Sequence, residues 1–245
     1  MMIDMHTHLW LGRYEECKKG ILKACEVYSY IKAYVSSIPG TNSNEAQCTE
    51  GNDDTAKFIK EYPNLIGGYC YCNPRNENSL SELRHYIEDC GMVGMKLWVA
   101  SLCDDPIGFP LIEYCIDNKL PILLHAFDQT VVKNVNESRS INVRNLAMRY
   151  PQAKIMMAHF GGNERTGIKT IEDCPNVFVD ICGVLYRCDT IDYTVKKIGA
   201  GRLLYGTDLS TYTPMWQIKA MVEAADLTDE ERDMIYYKNA QSLGL

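Results

Sequence analysis

The chain has 245 residues, 46% of them hydrophobic, which is enough to bury a large core at a length typical of one (β/α)8 barrel. Its net charge is −7 and it has no basic run, which argues against nucleic acid or an anionic membrane as a partner. The eleven cysteines are an odd number in a chain too large to need a disulfide framework, so we predict buried free thiols in a reducing compartment.

The N-terminal sequence MMIDMHTHLW lacks a basic segment followed by a long apolar stretch, so we expect no signal peptide. No stretch of the chain approaches the roughly 20 apolar residues that a membrane-spanning helix needs. We therefore expect a cytoplasmic protein with no membrane partner. Because there is no linker and no repeat, residues 1–245 are predicted to form a single domain.

Short apolar runs alternate with longer amphipathic stretches along the chain. The apolar runs predict eight strands: Met2–His6, Ile31–Ser36, Leu65–Cys72, Val93–Trp98, Pro121–His125, Lys154–His159, Val177–Ile181 and Arg202–Thr207. The amphipathic stretches predict eight helices: Tyr14–Tyr28, Asp54–Tyr62, Ser79–Asp89, Phe109–Asn118, Ile141–Tyr150, Arg165–Asp173, Ile191–Gly199 and Met215–Ala224. This alternation indicates an α/β fold with a parallel sheet. Eight such units favour a closed TIM barrel over an open doubly wound sheet, which remains the alternative.

The remaining segments predict one more helix and two long loops. Thr228–Gly244 is expected to form a C-terminal helix, because Thr228 and Glu231 have the spacing of a capping box. The polar stretches Gly40–Asn52 and Asp128–Ser140 are predicted to be loops after strands two and five. In a barrel both would lie on the active-site face, although ordinary surface loops are the alternative.

Four of the five histidines fall at the ends of predicted strands, where barrel enzymes place their catalytic residues. They are His6 and His8 at strand one, His125 at strand five and His159 at strand six. Asp208 follows strand eight in the same way. The fifth histidine, His85, lies within a predicted helix and is expected to be a surface or packing residue.

His6 and His8 are two residues apart on the first strand. Side chains at positions i and i+2 of a strand point to the same face, so both imidazoles can reach into the barrel mouth and bind one cation. Neutral imidazole suits zinc and related transition metals. The spacing alone is also compatible with two incidental histidines, and the metal interpretation gains support from the residues at later strand ends.

Three residues at those later strand ends are candidates for the same site. His125 shares the inward parity of Leu123, so we interpret it as a ligand rather than as a core histidine. His159 precedes Phe-Gly-Gly, whose glycines would let a substrate approach the backbone, and this favours a role in the site. Asp208 follows an apolar strand, which favours metal ligation or base catalysis over a helix cap or turn.

Lys96 lies on the fourth predicted strand, with Trp98 on the same face. An inward lysine costs free energy unless it is paired. Three interpretations stay open: contact with an anionic substrate, carboxylation that would let it bridge two metals, and a side chain that extends along apolar surface to water.

Four segments carry a resemblance to a known family. They are Ile3-Asp-Met-His-Thr-His8, Arg149-Tyr-Pro-Gln-Ala-Lys-Ile-Met-Met-Ala-His-Phe-Gly-Gly162, Leu203-Leu-Tyr-Gly-Thr-Asp208 and the terminal Asn239-Ala-Gln-Ser-Leu-Gly-Leu245. They resemble the amidohydrolase superfamily, in particular its amidohydrolase-2 branch, over most of the chain. The resemblance implies a TIM barrel with metal chemistry, and it says little about the substrate.

The resemblance also implies a set of site residues. The implied ligands of one divalent metal, zinc by preference, are His6, His8, His125 and Asp208. His159 would lie beside the metal-bound water and help to activate or orient it. In a two-metal variant, His125 and His159 would bind the second ion and a modified Lys96 would bridge the pair. We prefer the one-metal version.

The mechanism that we favour is metal-assisted hydrolysis of an amide, lactone or ester bond in a small molecule. Asp208 would accept a proton from the attacking water and pass it to the leaving group, while His159 stabilises the developing charge. Lys96 and Trp98 would line the substrate pocket. Further candidates on the same rim are Arg75, Arg187 and Tyr212.

Two other functions stay open. The first is metal-dependent decarboxylation of a small carboxylic acid, with Lys96 or Arg75 as the cation that binds the carboxylate. The second is a non-catalytic binding barrel, which would lack a ligand or have a blocked pocket, whereas every expected ligand type is present. Specificity is expected to lie in 40–52, 128–140 and 186–187, and the sequence leaves a homo-oligomer open.

Overall fold

A computed structural model describes residues 1–129, 134–183, 187–209 and 215–245. Within these ranges eight strands run parallel, in the order in which they occur along the chain. The strands are β1 (Met2–Trp10), β2 (Tyr30–Ile38), β3 (Ile66–Cys72), β4 (Gly94–Leu97), β5 (Pro121–Leu124), β6 (Lys154–Met157), β7 (Val177–Asp180) and β8 (Leu203–Leu204). The predicted parallel α/β barrel is confirmed.

Helices follow the strands in alternation. They are α1 (Tyr14–Tyr28), α2 (Glu45–Glu61), α3 (Ser79–Glu88), α4 (Phe109–Asp117), α5 (Ser140–Arg149), α6 (Glu164–Thr170), α7 (Thr190–Ile198) and α8 (Met215–Ala224). The C-terminal segment is helical as predicted: α9 (Asp229–Asp233) leads through a π-helical turn at Met234–Lys238 into α10 (Asn239–Ser242). It begins with the capping box between Thr228 and Glu231. Among the described residues, no helix has the length and apolar character to cross a membrane.

Two apolar layers hold the barrel together. Inside it, Ile3 and Met5 of β1 pack with Leu123, Met156 and Leu204 of later strands. A larger layer fills the space between the strands and the surrounding helices. All eleven cysteines are free, and most are buried in these layers, in agreement with the prediction. Cys188 is exposed.

A β-bulge in β1 aims the two histidines into the barrel. Relative to β2, β1 contains one extra residue between Asp4 and Thr7. Such a bulge shifts the alternation of side chains by one position. Met5 therefore faces the interior below the bulge, and His6 and His8 face it above the bulge.

The barrel closes between β1 and the segment that follows the very short β8. Backbone hydrogen bonds join Met5 N to the Tyr205 carbonyl at 2.9 Å and His8 N to the Leu209 carbonyl at 3.0 Å. The Asp4 carboxylate accepts hydrogen bonds from Thr207 N at 3.1 Å and from the Thr207 hydroxyl at 2.6 Å. We call these contacts the β1–β8 seam, and they fix the position of the residue that follows, Asp208.

The prediction that Gly40–Asn52 is a loop holds up to Asn44 and is wrong from Glu45 onward. Helix α2 begins at Glu45, after a capping box in which the Asn44 side chain accepts from Gln47 N and the Gln47 side chain accepts from Asn44 N. Its first half buries small and polar residues, including Asn52, whose amide pairs with the backbone of Tyr71 on β3. The apolar periodicity that normally signals a helix is therefore missing there.

The described part of Asp128–Ser140 lacks regular structure up to Arg139, as predicted. Residues 130–133 lie outside the described ranges. The strand predicted at Lys154–His159 ends earlier, at Met157, and His159 lies in a tight turn. His159, Phe160 and Gly161 all have positive φ angles in this turn.

Candidate metal centre

Three side chains converge at the mouth of the barrel, and all three are residues predicted to bind a metal. His6 Nε2 lies 2.8 Å from His8 Nε2. Asp208 Oδ1 lies 3.1 Å from His8 Nε2 and 3.6 Å from His6 Nε2. All three residues are buried. These atoms form a group close enough to hold one ion, and we call it the first triad.

The far nitrogens of the two imidazoles are held by acceptors. His6 Nδ1 donates to Asp180 Oδ2 at 2.5 Å. His8 Nδ1 donates to the carbonyl of Ser36 at 3.0 Å. In a neutral imidazole only one nitrogen carries a proton, so each Nε2 presents a lone pair to the first triad. Partners of this kind orient histidine ligands in metal sites.

In the first triad, the lone pairs of His6 Nε2, His8 Nε2 and Asp208 Oδ1 therefore face one another. Two imidazole lone pairs 2.8 Å apart, beside a carboxylate oxygen, repel each other unless a positive charge lies among them. Lys96 supports this interpretation, because its buried ammonium lies 3.2 Å from His6 Nε2. Two imidazoles and one carboxylate form a ligand set that zinc and similar divalent ions accept.

Electrostatics keep these groups in the protonation states that a metal needs. Burial by itself raises the pKa of Asp208, but the facing imidazoles, chiefly His6, outweigh burial and hold that pKa well below its usual range. Burial, assisted by the Lys96 ammonium, lowers the pKa of His6 far below its usual value. At neutral pH the carboxyl group is ionised and the imidazole is neutral.

Asp208 adopts a backbone conformation that the β1–β8 seam supports. Its φ angle is 55°, in the left-handed region that few non-glycine residues occupy. Its backbone N donates to the carbonyl of His6 at 2.7 Å. Gly206 is required two residues earlier, since a Cβ there would lie 2.3 Å from Asp180 Oδ1. Strand β8 alone, two residues long, would not place this carboxylate.

His159 and His125 form a second part of the site. Glu137 Oε1 accepts from His125 Nε2 at 2.9 Å, and His125 Nδ1 lies 3.1 Å from His159 Nε2. A carboxylate can only accept, so His125 Nε2 carries its proton and His125 Nδ1 accepts from His159 Nε2. His159 Nδ1 is then a lone pair facing Cys182 and Asp208. We call this series of hydrogen bonds the Glu137 relay.

Burial keeps both histidines of the Glu137 relay neutral. It lowers the pKa of His159 to about 3, although Asp208 opposes this shift. It also lowers the pKa of His125, with Glu137 acting in the opposite direction. Because both nitrogens of His125 are engaged, its imidazole is not part of the first triad among the described residues.

Gly161 and Gly162 are predicted to let a substrate approach the backbone, but in the structure they contact another loop of the protein. A Cβ at Gly162 would lie 2.7 Å from Phe127 Cα and Asp128 N. The adjacent carbonyl of Gly161 accepts from Asp128 N at 2.6 Å. The close approach is therefore made by the loop after β5 rather than by a substrate.

Lys96 and Trp98 lie where the parity of strand four placed them. The Lys96 side chain points into the barrel and is 1% exposed, which excludes the interpretation that it reaches water. Burial lowers its pKa to about 8, against the pull of Asp208. Trp98 is half-buried and packs edge-to-face on His125, with ring centroids 6.4 Å apart.

The remaining candidates have contacts of their own or fall outside the described residues. Arg75 is exposed and its Nε donates to the carbonyl of Ala100 at 2.8 Å. Arg187 is exposed and forms an ion pair with Asp189 at 3.1 Å. Tyr212 and Tyr186 lie outside the described residues. His85 is on the surface beside Asp89, as expected.

Sequence reasoning missed three residues of the site. Asp180 and Cys182 follow one another at the end of β7 with the same two-residue spacing as His6 and His8, and that spacing was a usable signal. The prediction of buried free thiols treats Cys182 like the other cysteines and gives it no role in the site. Glu137 comes from the loop after β5 and nothing in the local sequence marks it.

A comparison of the sequence with models of known protein families gives one match. A family model described as amidohydrolase matches residues 3–243. The chain belongs to the amidohydrolase-2 family. No curated protein matches its sequence.

Solved structures with the fold of this amidohydrolase-2 chain include enzymes of more than one kind. A 2,6-dihydroxybenzoate decarboxylase complexed with 2,6-dihydroxybenzoate has a TM-score of 0.80 at 14% identity, covering 99% of this chain and 98% of that chain. A dihydroxybenzoic acid decarboxylase from Polaromonas sp. JS666, with bound manganese and 2-nitroresorcinol, has a TM-score of 0.78 at 15% identity, covering 99% and 96%. The 4-oxalomesaconate hydratase from Rhodopseudomonas palustris has a TM-score of 0.74 at 17% identity, covering 99% and 95%. At these identities the likeness establishes the fold.

Proposed function

We propose that this amidohydrolase-2 chain is a metal-dependent hydrolase that acts on an amide, lactone or ester bond of a small molecule. The ion would be held by His6, His8 and Asp208, and we favour zinc because two imidazoles and a carboxylate suit it. The observation that carries the proposal is the convergence of two Nε2 lone pairs and an ionised carboxylate on one buried point. The Polaromonas relative, which contains manganese, supports a divalent ion in this fold.

A divalent ion at this position supplies acidified water and a polarised carbonyl group. The chain's own residues would do the rest. Asp208 Oδ2 points away from His8 and toward His159, so it is the oxygen that can accept a proton from water and return it to the leaving group. His159 Nδ1 lies 4.0 Å from that oxygen and can orient the reacting group by accepting a hydrogen bond.

His125 remains our proposed fourth ligand, as the family resemblance implies. Its imidazole would have to leave either Glu137 or His159 to bind the same ion as His6. We therefore expect metal binding to break one hydrogen bond of the Glu137 relay. Replacing Glu137 with glutamine should then weaken the relay without removing a ligand.

The reaction can be tested in water enriched in ¹⁸O. A panel of small amides, lactones and esters is incubated with the zinc-loaded protein, and products are analysed by mass spectrometry. We expect ¹⁸O in a product carboxyl group, with His6→Ala and Asp208→Asn inactive and the surface variant His85→Ala fully active. If no panel member incorporates ¹⁸O while the protein holds stoichiometric metal, hydrolysis of these bond classes is the wrong assignment.

The buried Lys96 ammonium favours one second candidate, decarboxylation of a small carboxylic acid. It lies 3.2 Å from His6 Nε2 and could bind a substrate carboxylate beside the ion. The decarboxylases of the same fold are consistent with this candidate. Release of carbon dioxide from a panel of aromatic and aliphatic acids, lost in Lys96→Met, would favour decarboxylation over hydrolysis.

A further inference from the structure

Cys182 lies beside the first triad, at the end of β7, and is almost completely buried. Its Sγ is 3.2 Å from His159 Nδ1. The same nitrogen is 4.0 Å from Asp208 Oδ2. These three atoms form a second group close enough to hold one ion, and we call it the second triad.

The spacing of the second triad matches that of ligands around a single ion. Zinc bonds of about 2.0–2.3 Å in tetrahedral geometry leave neighbouring ligand atoms roughly 3.3–3.8 Å apart. The distances of 3.2 and 4.0 Å bracket that range, so small movements of the side chains would suffice.

The lone pairs of the second triad face the same point. While His125 keeps both hydrogen bonds of the Glu137 relay and is not bound to an ion, the proton of His159 is on Nε2, which leaves Nδ1 as an electron pair aimed at Cys182 and Asp208. This assignment depends on Glu137, which belongs to neither triad. Its effect passes through the two imidazoles of His125 and His159.

Asp208 offers one oxygen to each triad. Its Oδ1 faces His8 at 3.1 Å, and its Oδ2 faces His159 at 4.0 Å. A carboxylate in this orientation can bridge two ions, an arrangement known from two-metal sites with ions about 3.5–4 Å apart.

We propose that His159, Cys182 and Asp208 form a second cation site that takes a thiophilic divalent ion such as zinc or cobalt, with Asp208 bridging to the ion of the first triad. The thiolate selects zinc or cobalt over magnesium or manganese. The Cys182 proton leaves to solvent when the ion binds. This site differs from the two-metal arrangement inferred from sequence, since it uses neither His125 nor a modified Lys96.

The second site itself does not depend on the proposed hydrolase function. Its expected effect on activity does rest on that function. With both oxygens of Asp208 bound to ions, neither is available to accept a proton from water. The two-ion form is therefore expected to hydrolyse more slowly than the one-ion form. Excess zinc should inhibit the wild-type enzyme and have less effect on Cys182→Ser.

A hydrogen-bonding role for the thiol is the alternative. Cys182 Sγ lies 3.0 Å from Asp180 Oδ2 and 3.2 Å from His6 Nδ1, so its proton can be donated to Asp180. Serine would make the same hydrogen bond, but its hydroxyl is a poor ligand for zinc or cobalt. Cys182→Ser therefore separates the two roles.

The test is a cobalt titration of the full-length, metal-free chain. Bound cobalt is measured after dialysis, and thiolate ligation is measured as sulfur-to-cobalt charge-transfer absorption in the near ultraviolet. We expect two equivalents with the charge-transfer band in the wild type, and one equivalent without it in Cys182→Ser. Cys188→Ser, which removes the exposed cysteine, controls for non-specific thiol binding and should behave as the wild type does.

The outcomes distinguish this proposal from the proposed function. One equivalent without the band in the wild type, or an unchanged band in Cys182→Ser, overturns the second site and leaves the first intact. One equivalent with a band that Cys182→Ser abolishes overturns the two-ion arrangement. No bound cobalt in the wild type overturns both. If Cys182→Ser does not fold, the stoichiometry and the band of the wild type decide the question by themselves.

Discussion

The orientation of His6 depends on a residue that does not belong to the first triad. Asp180 accepts from His6 Nδ1 at 2.5 Å within the barrel interior, where both side chains are almost fully shielded from water. A carboxylate behind a histidine fixes its tautomer and makes its other nitrogen a better ligand. The metal affinity of the first triad is therefore expected to depend partly on Asp180, at the end of β7.

Replacing Asp180 with asparagine should weaken metal binding without removing a ligand. The amide can still accept from His6 Nδ1, but it carries no negative charge to strengthen the imidazole. We expect zinc affinity to fall about 10- to 100-fold, measured by competition with a chromophoric chelator. An affinity equal to that of the wild type would show that Asp180 does not tune His6.

Residue-level prediction from the sequence worked where strand position alone decided the matter. His6, His8 and Asp208 meet because the carboxyl ends of parallel strands lie at one end of a barrel. The same logic would have found Asp180. It could not find Glu137, because a loop residue is placed by the path of the loop and not by strand parity.

Asp4 is a further buried carboxylate, with a predictable effect of pH on stability. Burial raises its pKa from 3.8 to about 7, although hydrogen bonds from Thr207 and His6 oppose the shift. Between these two values the folded state binds more protons than the unfolded state. Its contribution to stability is therefore present below pH 3.8 and is lost as the pH rises toward 7.

Asp4→Asn should remove this dependence on pH, because the amide does not ionise and still accepts from the backbone of His6 and Thr207. The free energy of unfolding of the variant, relative to the wild type, should rise by up to roughly 4 kcal/mol from pH 4 to pH 7 and stay level above pH 7. Urea unfolding across this range measures it. A difference that does not change with pH would mean that Asp4 ionises normally in the folded state.

The two strands at the closure of the barrel, β1 and β8, differ greatly in length. β1 spans nine residues and carries the bulge, whereas β8 has two. The barrel is closed mainly by the β1–β8 seam beyond the end of β8, and the Thr207 hydroxyl bond to Asp4 is part of it. The seam therefore connects barrel closure to the placement of Asp208.

Thr207→Val should weaken the seam, because it leaves the buried Asp4 carboxyl without the hydroxyl donor at nearly the same side-chain volume. We expect a loss of about 1–3 kcal/mol in the free energy of unfolding and a lower metal affinity. Thr207→Ser keeps the hydroxyl and serves as the matched control. A loss in Thr207→Ser with none in Thr207→Val would indicate that packing of the methyl group matters and the hydrogen bond does not.

Two helices begin and end at the residues that the sequence predicts. The predicted bounds of α1 and α8 agree with the structure. The sequence does not predict the first half of α2, because its buried face contains Gly51 and Asn52 and so lacks apolar periodicity. Gly51 lies against β2, and Asn52 hydrogen-bonds to β3. The capping box between Asn44 and Gln47 is a local signal of its start.

At the scale of the whole molecule, the number and order of strands followed from the alternation of patterns along the chain. What the sequence could not provide was the depth of the site, which arises from long-range contacts. Met5 and Leu123 fill the barrel interior beneath the site, and His6 and Lys96 are almost completely buried. That burial keeps the imidazole of His6 neutral and ready to bind a cation.

The most direct test of the account is the metal content of the whole protein. Protein purified from zinc-supplemented medium is analysed for metals, together with His8→Ala and with His85→Ala as the matched surface control. We predict stoichiometric metal in the wild type and in His85→Ala, and one equivalent less in His8→Ala. A wild type that holds no metal even when zinc or manganese is supplied, or a His8→Ala variant with the full wild-type content, would contradict the assignment of the first triad.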